Sequence, residues 1–215
     1  MTLPGPSPGG KSGPVHALVL AAGGGKRFGG RKLHAHYQGR PLLSYVLAVV
    51  EGACRRGLLQ GGCVVIAAGD GRACRLALAA KLEPVVNRLP GLGLSNSLRL
   101  GLTSLERRTT EEAGAALVLL GDQPLVRPDV IEQLVRAWQH TGSTIIRPRY
   151  SARGGVPGHP VLLSHELWPR AWHLEGDVGF SALLDPSSPG ALTLDVTGDN
   201  PDVDTRADLQ ALEPL

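Results

Sequence analysis

From Val15 onward, short apolar runs alternate with longer stretches in which apolar residues recur every three or four positions. The runs at 15–21, 63–67, 84–87, 115–120 and 143–147 predict buried strands. The stretches at 41–56, 71–81, 95–107 and 127–141 predict amphipathic helices, with Pro41 and Pro128 as first-turn prolines and Ser95 as a cap. Strands that alternate with helices predict βαβ units: an α/β fold of three layers, Rossmann-like, with a mostly parallel central sheet. The rhythm breaks after Tyr150, where a glycine-rich loop leads to a strand at 159–163 and two short helices. This part is expected to add mixed or antiparallel strands and one wall of a cleft. Residues 1–14 are rich in Pro, Gly and Ser and predict a disordered tail, which leaves 15–215 as one domain.

The first apolar run stops at Gly23-Gly24-Gly25, and Lys26, Arg27, Arg31 and Lys32 follow at once. Glycines at a strand end let the backbone approach a ligand and turn its N–H groups toward an anion. Lysine and arginine add charge that suits phosphate. Strand, glycine loop and basic cluster together suggest a nucleoside triphosphate site. A second phosphate pattern, Gly5 to Ser12, matches GxxxxGK[ST], but Pro4, Pro6, Pro8 and Pro14 deny it the strand and helix that a P-loop needs.

Ligands of open α/β sheets bind beyond the carboxyl ends of the strands. The glycine loop, Gly69, Asn87 and Gly121-Asp122-Gln123-Pro124 all fall at such ends. Asp122, at the end of the 115–120 run, is placed to hold Mg²⁺, which prefers carboxylate and phosphate oxygens. A plain turn aspartate is the alternative. Asp202 and Asp204 offer a second carboxylate, with Asp204 favoured, while Thr205 and Asp208 read as a capping box. His159 precedes a strand, and Asp177 either caps a helix or faces an anion at its start. His34 and His36 form no convincing ligand set.

Charge and composition narrow the class. The net charge is +3 and aromatics are 4% of the chain, with no long Lys/Arg run, so nucleic-acid binding is disfavoured. Three cysteines without a CxxC pair argue against zinc or a disulfide framework and for a reduced, cytoplasmic setting. No apolar stretch reaches membrane-spanning length.

The segment LAAGGGKRFGGRK resembles the LAAGxGxRxGxxK signature of MobA-like nucleotidyltransferases. The resemblance continues in order through Asn87-Arg88-Leu89-Pro90-Gly91-Leu92-Gly93-Leu94-Ser95-Asn96-Ser97, LLGDQPLV, GHPVLL, GDVG and DVDT, over nearly all of 15–210. Within that family the chain is most similar to molybdenum cofactor cytidylyltransferases, which join CTP to molybdopterin and release pyrophosphate. The resemblance implies that the backbone of Ala21, Ala22, Gly23 and Gly24, with Arg27 and Lys32, holds the triphosphate. It implies that Asn87 and the turn containing Ser95 lie near base and ribose, that Asp122 and Asp204 hold Mg²⁺, and that His159, Pro160 and Asp177 line the acceptor side. A molybdoenzyme or its chaperone is the implied further partner. Members that use GTP usually carry LAGG, whereas this chain carries Leu20-Ala21-Ala22-Gly23. Two alternatives remain: another phosphorylated acceptor, or a MobA-like oxidoreductase using a nicotinamide nucleotide, for which the GxGxxG fingerprint is absent.

Overall fold

A computed structural model describes residues 11–107, 114–176 and 190–212. Its centre is β1 (Val15–Ala21), whose side chains are buried on both faces of the sheet. Val15, Ala17, Val19 and Ala21 face one helical layer, and Leu18 and Leu20 face the other. This is why the strand reads as an unbroken apolar run rather than an alternating one.

The elements follow the expected alternation. After β1 come a small ribbon of β2 (His36–Tyr37) and β3 (Arg40–Pro41), α1 (Leu42–Arg55), β4 (Gly62–Ala67) and α2 (Gly71–Ala79). Next are β5 (Glu83–Asn87), α3 (Leu94–Glu106), β6 (Ala115–Leu120), α4 (Pro128–Thr141) and β7 (Ile145–Tyr150). β8 (Val161–Ser164), α5 (Trp168–Ala171), β9 (Ala191–Val196) and α6 (Arg206–Ala211) complete the described elements. The sheet order is β5-β4-β1-β6-β8-β7-β9. β5, β4, β1 and β6 pair in parallel, β8 is antiparallel to both β6 and β7, and β9 is parallel to β7. Helices α1, α2 and α4 cover one face and α3 and α5 the other, giving the expected three layers.

Several expectations need correction. Ser95 does not cap α3: Gly93 occupies the cap, and Ser95 lies in the first turn, 1% exposed. Pro41 likewise sits one position outside its helix, in extended backbone paired with His36, whereas Pro128 does open α4. β7 starts two residues later than expected and runs on to Tyr150, because β9 pairs along its whole length. β9 and the β2–β3 ribbon escaped the sequence reading. Each depends on a partner strand rather than on a marked local pattern.

The expected tail ends before residue 14. The Lys11 backbone N–H donates to the Gln139 carbonyl at 3.1 Å, and its ammonium bonds Ser164 Oγ at 2.9 Å and Glu166 Oε1 at 2.7 Å.

The strand order reverses at β1. The chain moves outward from β1 through β4 to β5, then crosses back over α3 to β6 on β1's other side. The loops after β1 and β6 therefore diverge and leave a crevice between them. α3 packs close against this seam: a Cβ at Gly101 would fall 2.1 Å from Leu18 Cδ1.

Candidate active site

The glycine loop fills the crevice edge. Gly25 is its constrained member, left-handed at φ 58°, and a Cβ there would lie 2.9 Å from Lys32 Cβ. Glycine at this position thus lets the chain fold back through two 3₁₀ turns, Lys26–Phe28 and Lys32–His34, and bring Lys32 under the loop. Phe28 anchors the loop from below. It is buried in a cluster with Tyr37, Leu42 and Val203, and the Arg206 guanidinium lies over its ring. Val203 in turn donates its N–H to the Asp122 carbonyl at 3.1 Å. One apolar contact and one backbone hydrogen bond therefore draw the glycine loop, the end of β6 and the segment before α6 to a single place.

Four candidate residues meet there. Lys32 Nζ lies 2.6 Å from Asp122 Oδ2 and 3.0 Å from Asp204 Oδ1, and Arg27 Nη2 lies 3.1 Å from Asp204 Oδ2. Lys32 is only 9% exposed. Burial alone would lower its pKa, but the Asp122 charge and the hydrogen bonds to both carboxylates outweigh that, and the net shift is upward. The ammonium is therefore a fixed charge at neutral pH.

Asp204, not Asp202, faces this cluster. Asp202 points to the Gln123 amide at 2.8 Å. Thr205 and Asp208 form the expected capping box of α6, and Asp208 also accepts the Asp204 backbone N–H at 2.9 Å. The cap and the candidate ligand are thus one local device. Asp208 is held below the usual carboxylate range, chiefly by the Thr205 hydrogen bonds.

The donor set fits a divalent cation that also holds phosphate. Asp122 Oδ1 is buried and has no hydrogen-bond partner among the described residues. Those residues hold no cluster of three or more metal-binding side chains. Two carboxylates with the remaining positions left to phosphate and water is the habit of Mg²⁺.

Two cavities share the glycine loop as a wall. One, of about 430 Å³, is lined by Leu20, Ala22, Gly23, Gly24, Lys26, Lys32, Asp122 and, across from them, the Pro90–Leu94 turn and Ser97. The other, of about 460 Å³, lies toward α2 and is lined by Gly23, Gly24, Arg31, Lys32, His34 and residues 67–72. The glycine loop and Asp122 thus stand together, as the sequence pattern predicts.

Asn87 lines neither cavity. It is fully buried, donates to Ser97 Oγ and accepts from Leu89 N–H and Asn96 Nδ2, each at 2.9 Å. It braces the turn that lines the first cavity. Ser95 is buried beside this turn and lines neither cavity.

The His159 carbonyl accepts from Tyr150 OH at 2.9 Å and Asn200 Nδ2 at 3.1 Å, and Pro160 is buried behind it. Asp177 and the turn it belongs to lie outside the described residues. The sequence reading overlooked two pairings. His34 Nε2 lies between the Asp70 oxygens at 2.9 and 2.8 Å, and Gln123 pairs with Asn200. Only position after a strand end (Asp70 after β4, Gln123 after β6) could have flagged either.

No helix among the described residues is long and apolar enough to cross a membrane.

Comparison with known proteins agrees with this architecture. A protein of Thermococcus gammatolerans described as a "probable molybdenum cofactor guanylyltransferase" is 30% identical over 146 residues, covering 68% of each chain. The crystal structure of Rv0371c from Mycobacterium tuberculosis superposes with a TM-score of 0.74 at 27% identity, over 93% of this chain and 97% of that one. A manganese complex of Rv0371c gives 0.72 at 25% identity, over 94% and 98%. The family model described as "MobA-like NTP transferase domain" matches residues 17–192. With a mostly parallel sheet that reverses at β1 and a glycine loop facing Asp122 across the reversal, the chain belongs to the MobA-like NTP transferases.

Proposed function

We propose that this protein transfers CMP from CTP to the phosphate of molybdopterin cofactor and releases pyrophosphate. The observation that carries nucleotidyl transfer is the convergence of Lys32, Asp122 and Asp204 on the glycine loop at a cavity wall. In the reaction an acceptor phosphate oxygen forms a bond to the α-phosphorus. The bond from that phosphorus to the bridging β-phosphate oxygen breaks, and its electron pair leaves with pyrophosphate. The chief obstacle is bringing two anions together, so positioning and charge neutralisation dominate. The N–H groups of the glycine loop orient the triphosphate, and Lys32 and Arg27 offset its charge. Bound between Asp122 and Asp204, Mg²⁺ would supply Lewis-acid stabilisation of charge on the α-phosphate oxygens. The manganese complex of the mycobacterial neighbour supports a divalent cation in this family.

The CTP preference rests on Ala22, which is 3% exposed and lines the cavity beside Leu20 and Gly93. Its methyl group takes room where a purine would need it. The acceptor assignment is supported by the description of the Thermococcus relative, which also favours a second reading, transfer of GMP from GTP. The acceptor side is assigned to the Gly158–Pro160 turn, which the Asn200 side chain ties to the carboxylate segment. A molybdoenzyme or its chaperone is the expected recipient of the product.

Pyrophosphate release with CTP, GTP and ATP, each against molybdopterin cofactor and a panel of sugar phosphates, tests the proposal. Release with CTP and molybdopterin cofactor is expected. Release with GTP alone would replace the cytidylyl reading with the guanylyl one. Release only with another acceptor would keep nucleotidyl transfer and discard the pterin.

A further inference from the structure

Immediately behind the carboxylate pair lies a polar knot that the chemistry above does not use. Gln123 and Asn200 are 3% and 1% exposed, among the few fully buried polar side chains of the described residues. Asn200 Nδ2 donates to Gln123 Oε1 and to the His159 carbonyl, both at 3.1 Å. Gln123 Nε2 donates to Asp202 Oδ1 at 2.8 Å and to the Asn200 carbonyl at 3.3 Å. This pair of amides therefore joins three loops. Gln123 directly follows Asp122, Asp202 lies two residues before Asp204, and His159 lies two residues before β8 on the proposed acceptor side.

Buried amides are costly unless paired, and the bonds that pair them restrict the geometry. Four hydrogen bonds hold this knot, while Asn200 Oδ1 has no partner among the described residues. Here that geometry includes the spacing of Asp122 from Asp204. The Val203 N–H to Asp122 carbonyl bond pins the backbones of the two segments together at one point. A single backbone bond still allows rotation about it. The Gln123–Asp202 bond, one residue away on each strand of chain, removes that freedom.

We infer that Gln123 and Asn200 are positioning residues that hold Asp204 opposite Asp122 and keep the Gly158–Pro160 turn in register with them. The inference rests on the nucleotidyl-transfer reading. It also assigns Asp202 a supporting role: its carboxylate is an acceptor for Gln123, and a neutral amide oxygen would serve as well.

The test uses the full chain and a readout other than turnover. Gln123→Met keeps side-chain length and deletes the amide. Asn200→Leu does the same for its partner. Mn²⁺ affinity is measured by paramagnetic resonance with a non-hydrolysable CTP analogue bound, and analogue affinity is measured separately in EDTA. Both variants are expected to bind the analogue within about twofold of wild type, because neither residue lines the glycine-loop cavities. Mn²⁺ affinity is expected to fall roughly tenfold or more, the usual cost of losing a group that orients a metal ligand. The double variant should be little worse than either single one, since each single change already breaks the pair.

Wild-type Mn²⁺ affinity in folded Gln123→Met would overturn the inference. A parallel fall in analogue affinity would also overturn it, because that marks general structural damage. If Gln123→Met fails to fold, Gln123→Glu decides. It preserves size and the acceptor for Asn200 but sets an oxygen against Asp202, so Mn²⁺ affinity should fall while analogue affinity holds, and unchanged Mn²⁺ affinity refutes the role. Should wild type itself bind neither Mn²⁺ nor the CTP analogue, the nucleotidyl-transfer reading fails, and the inference falls with it.

Discussion

The Lys32 ammonium lies 2.6 Å from Asp122 Oδ2, although 90 residues separate them in the chain. The contact links the glycine loop after β1 to the end of β6 across the point where the sheet reverses. It also places a lysine on the carboxylate that would hold a metal ion: Lys32 takes Oδ2, while Oδ1 has no partner among the described residues, so the two cations share one carboxylate.

Lys32→Met should act in opposite directions on two measurements. Turnover should fall by about 10²–10³-fold, as when one preorganised electrostatic contact is removed. Mn²⁺ binding in the absence of nucleotide should become tighter, because Asp122 and Asp204 lose their ammonium partner. Titration calorimetry with Mn²⁺ alone checks the second effect. Unchanged turnover would remove the triphosphate role of the glycine loop.

Asp122→Asn and Asp202→Asn should separate cleanly. Asp122 meets Lys32 in the crevice, whereas Asp202 is turned to Gln123. Metal-dependent turnover should be lost in Asp122→Asn and largely kept in Asp202→Asn, read as rate against Mg²⁺ concentration. Normal metal dependence in Asp122→Asn would return that residue to a plain turn role.

Base choice should respond to Ala22. A single methyl group in a pocket discriminates by about 1–3 kcal/mol. Wild type is therefore expected to favour CTP over GTP without excluding GTP, and Ala22→Gly should narrow the gap. Comparing kcat/KM for CTP, GTP and ATP in both proteins settles it. Equal use of GTP by wild type would refute the cytidylyl preference.

The GxxxxGKS match should prove irrelevant to nucleotide binding. Its lysine, Lys11, bonds Ser164 and Glu166 at the opposite end of β1 from the glycine loop. Seven residues of strand at about 3.3 Å each put some 20 Å between them. Lys11→Ala should leave CTP affinity unchanged and cost less than about 1 kcal/mol of stability, as part-exposed ion pairs do. Thermal melts and nucleotide titration of the variant check both.

Much of the fold is legible in the chain because its strands are buried on both faces. A run such as Ala115-Ala116-Leu117-Val118-Leu119-Leu120, short and followed by Gly121 and Pro124, reads as a buried strand, and its alternation with helices points to a mostly parallel sheet. The same holds for α4, whose Pro128 start and Gly142 stop bracket a periodic apolar face. β9 and the β2–β3 ribbon were not legible, since their residues are half exposed and become strands only through a neighbour. Ser95 misled for a related reason: the sequence shows a good capping residue, but the chain places Gly93, at φ 88°, in the cap instead.

Within the site, the sequence by itself determined the chemistry on offer: a glycine loop after a buried strand, basic residues behind it, and acidic residues after another strand. It favoured Asp204 over Asp202 without fixing the choice, because the two are two residues apart with similar neighbours. The tertiary structure shows which way each one faces. Val203 is buried against Phe28 and bonded to the Asp122 backbone, and that anchor fixes the rotation of the segment. Asp204 then faces Lys32 and Asp202 faces Gln123. Asn87 illustrates the same dependence: its three hydrogen bonds within the protein, which brace the turn at the cavity, are made to residues that only folding brings round it. Local sequence carries side-chain chemistry and backbone preference. Which way a loop residue points depends on distant partners that compete for it, and those meet only when the chain has folded.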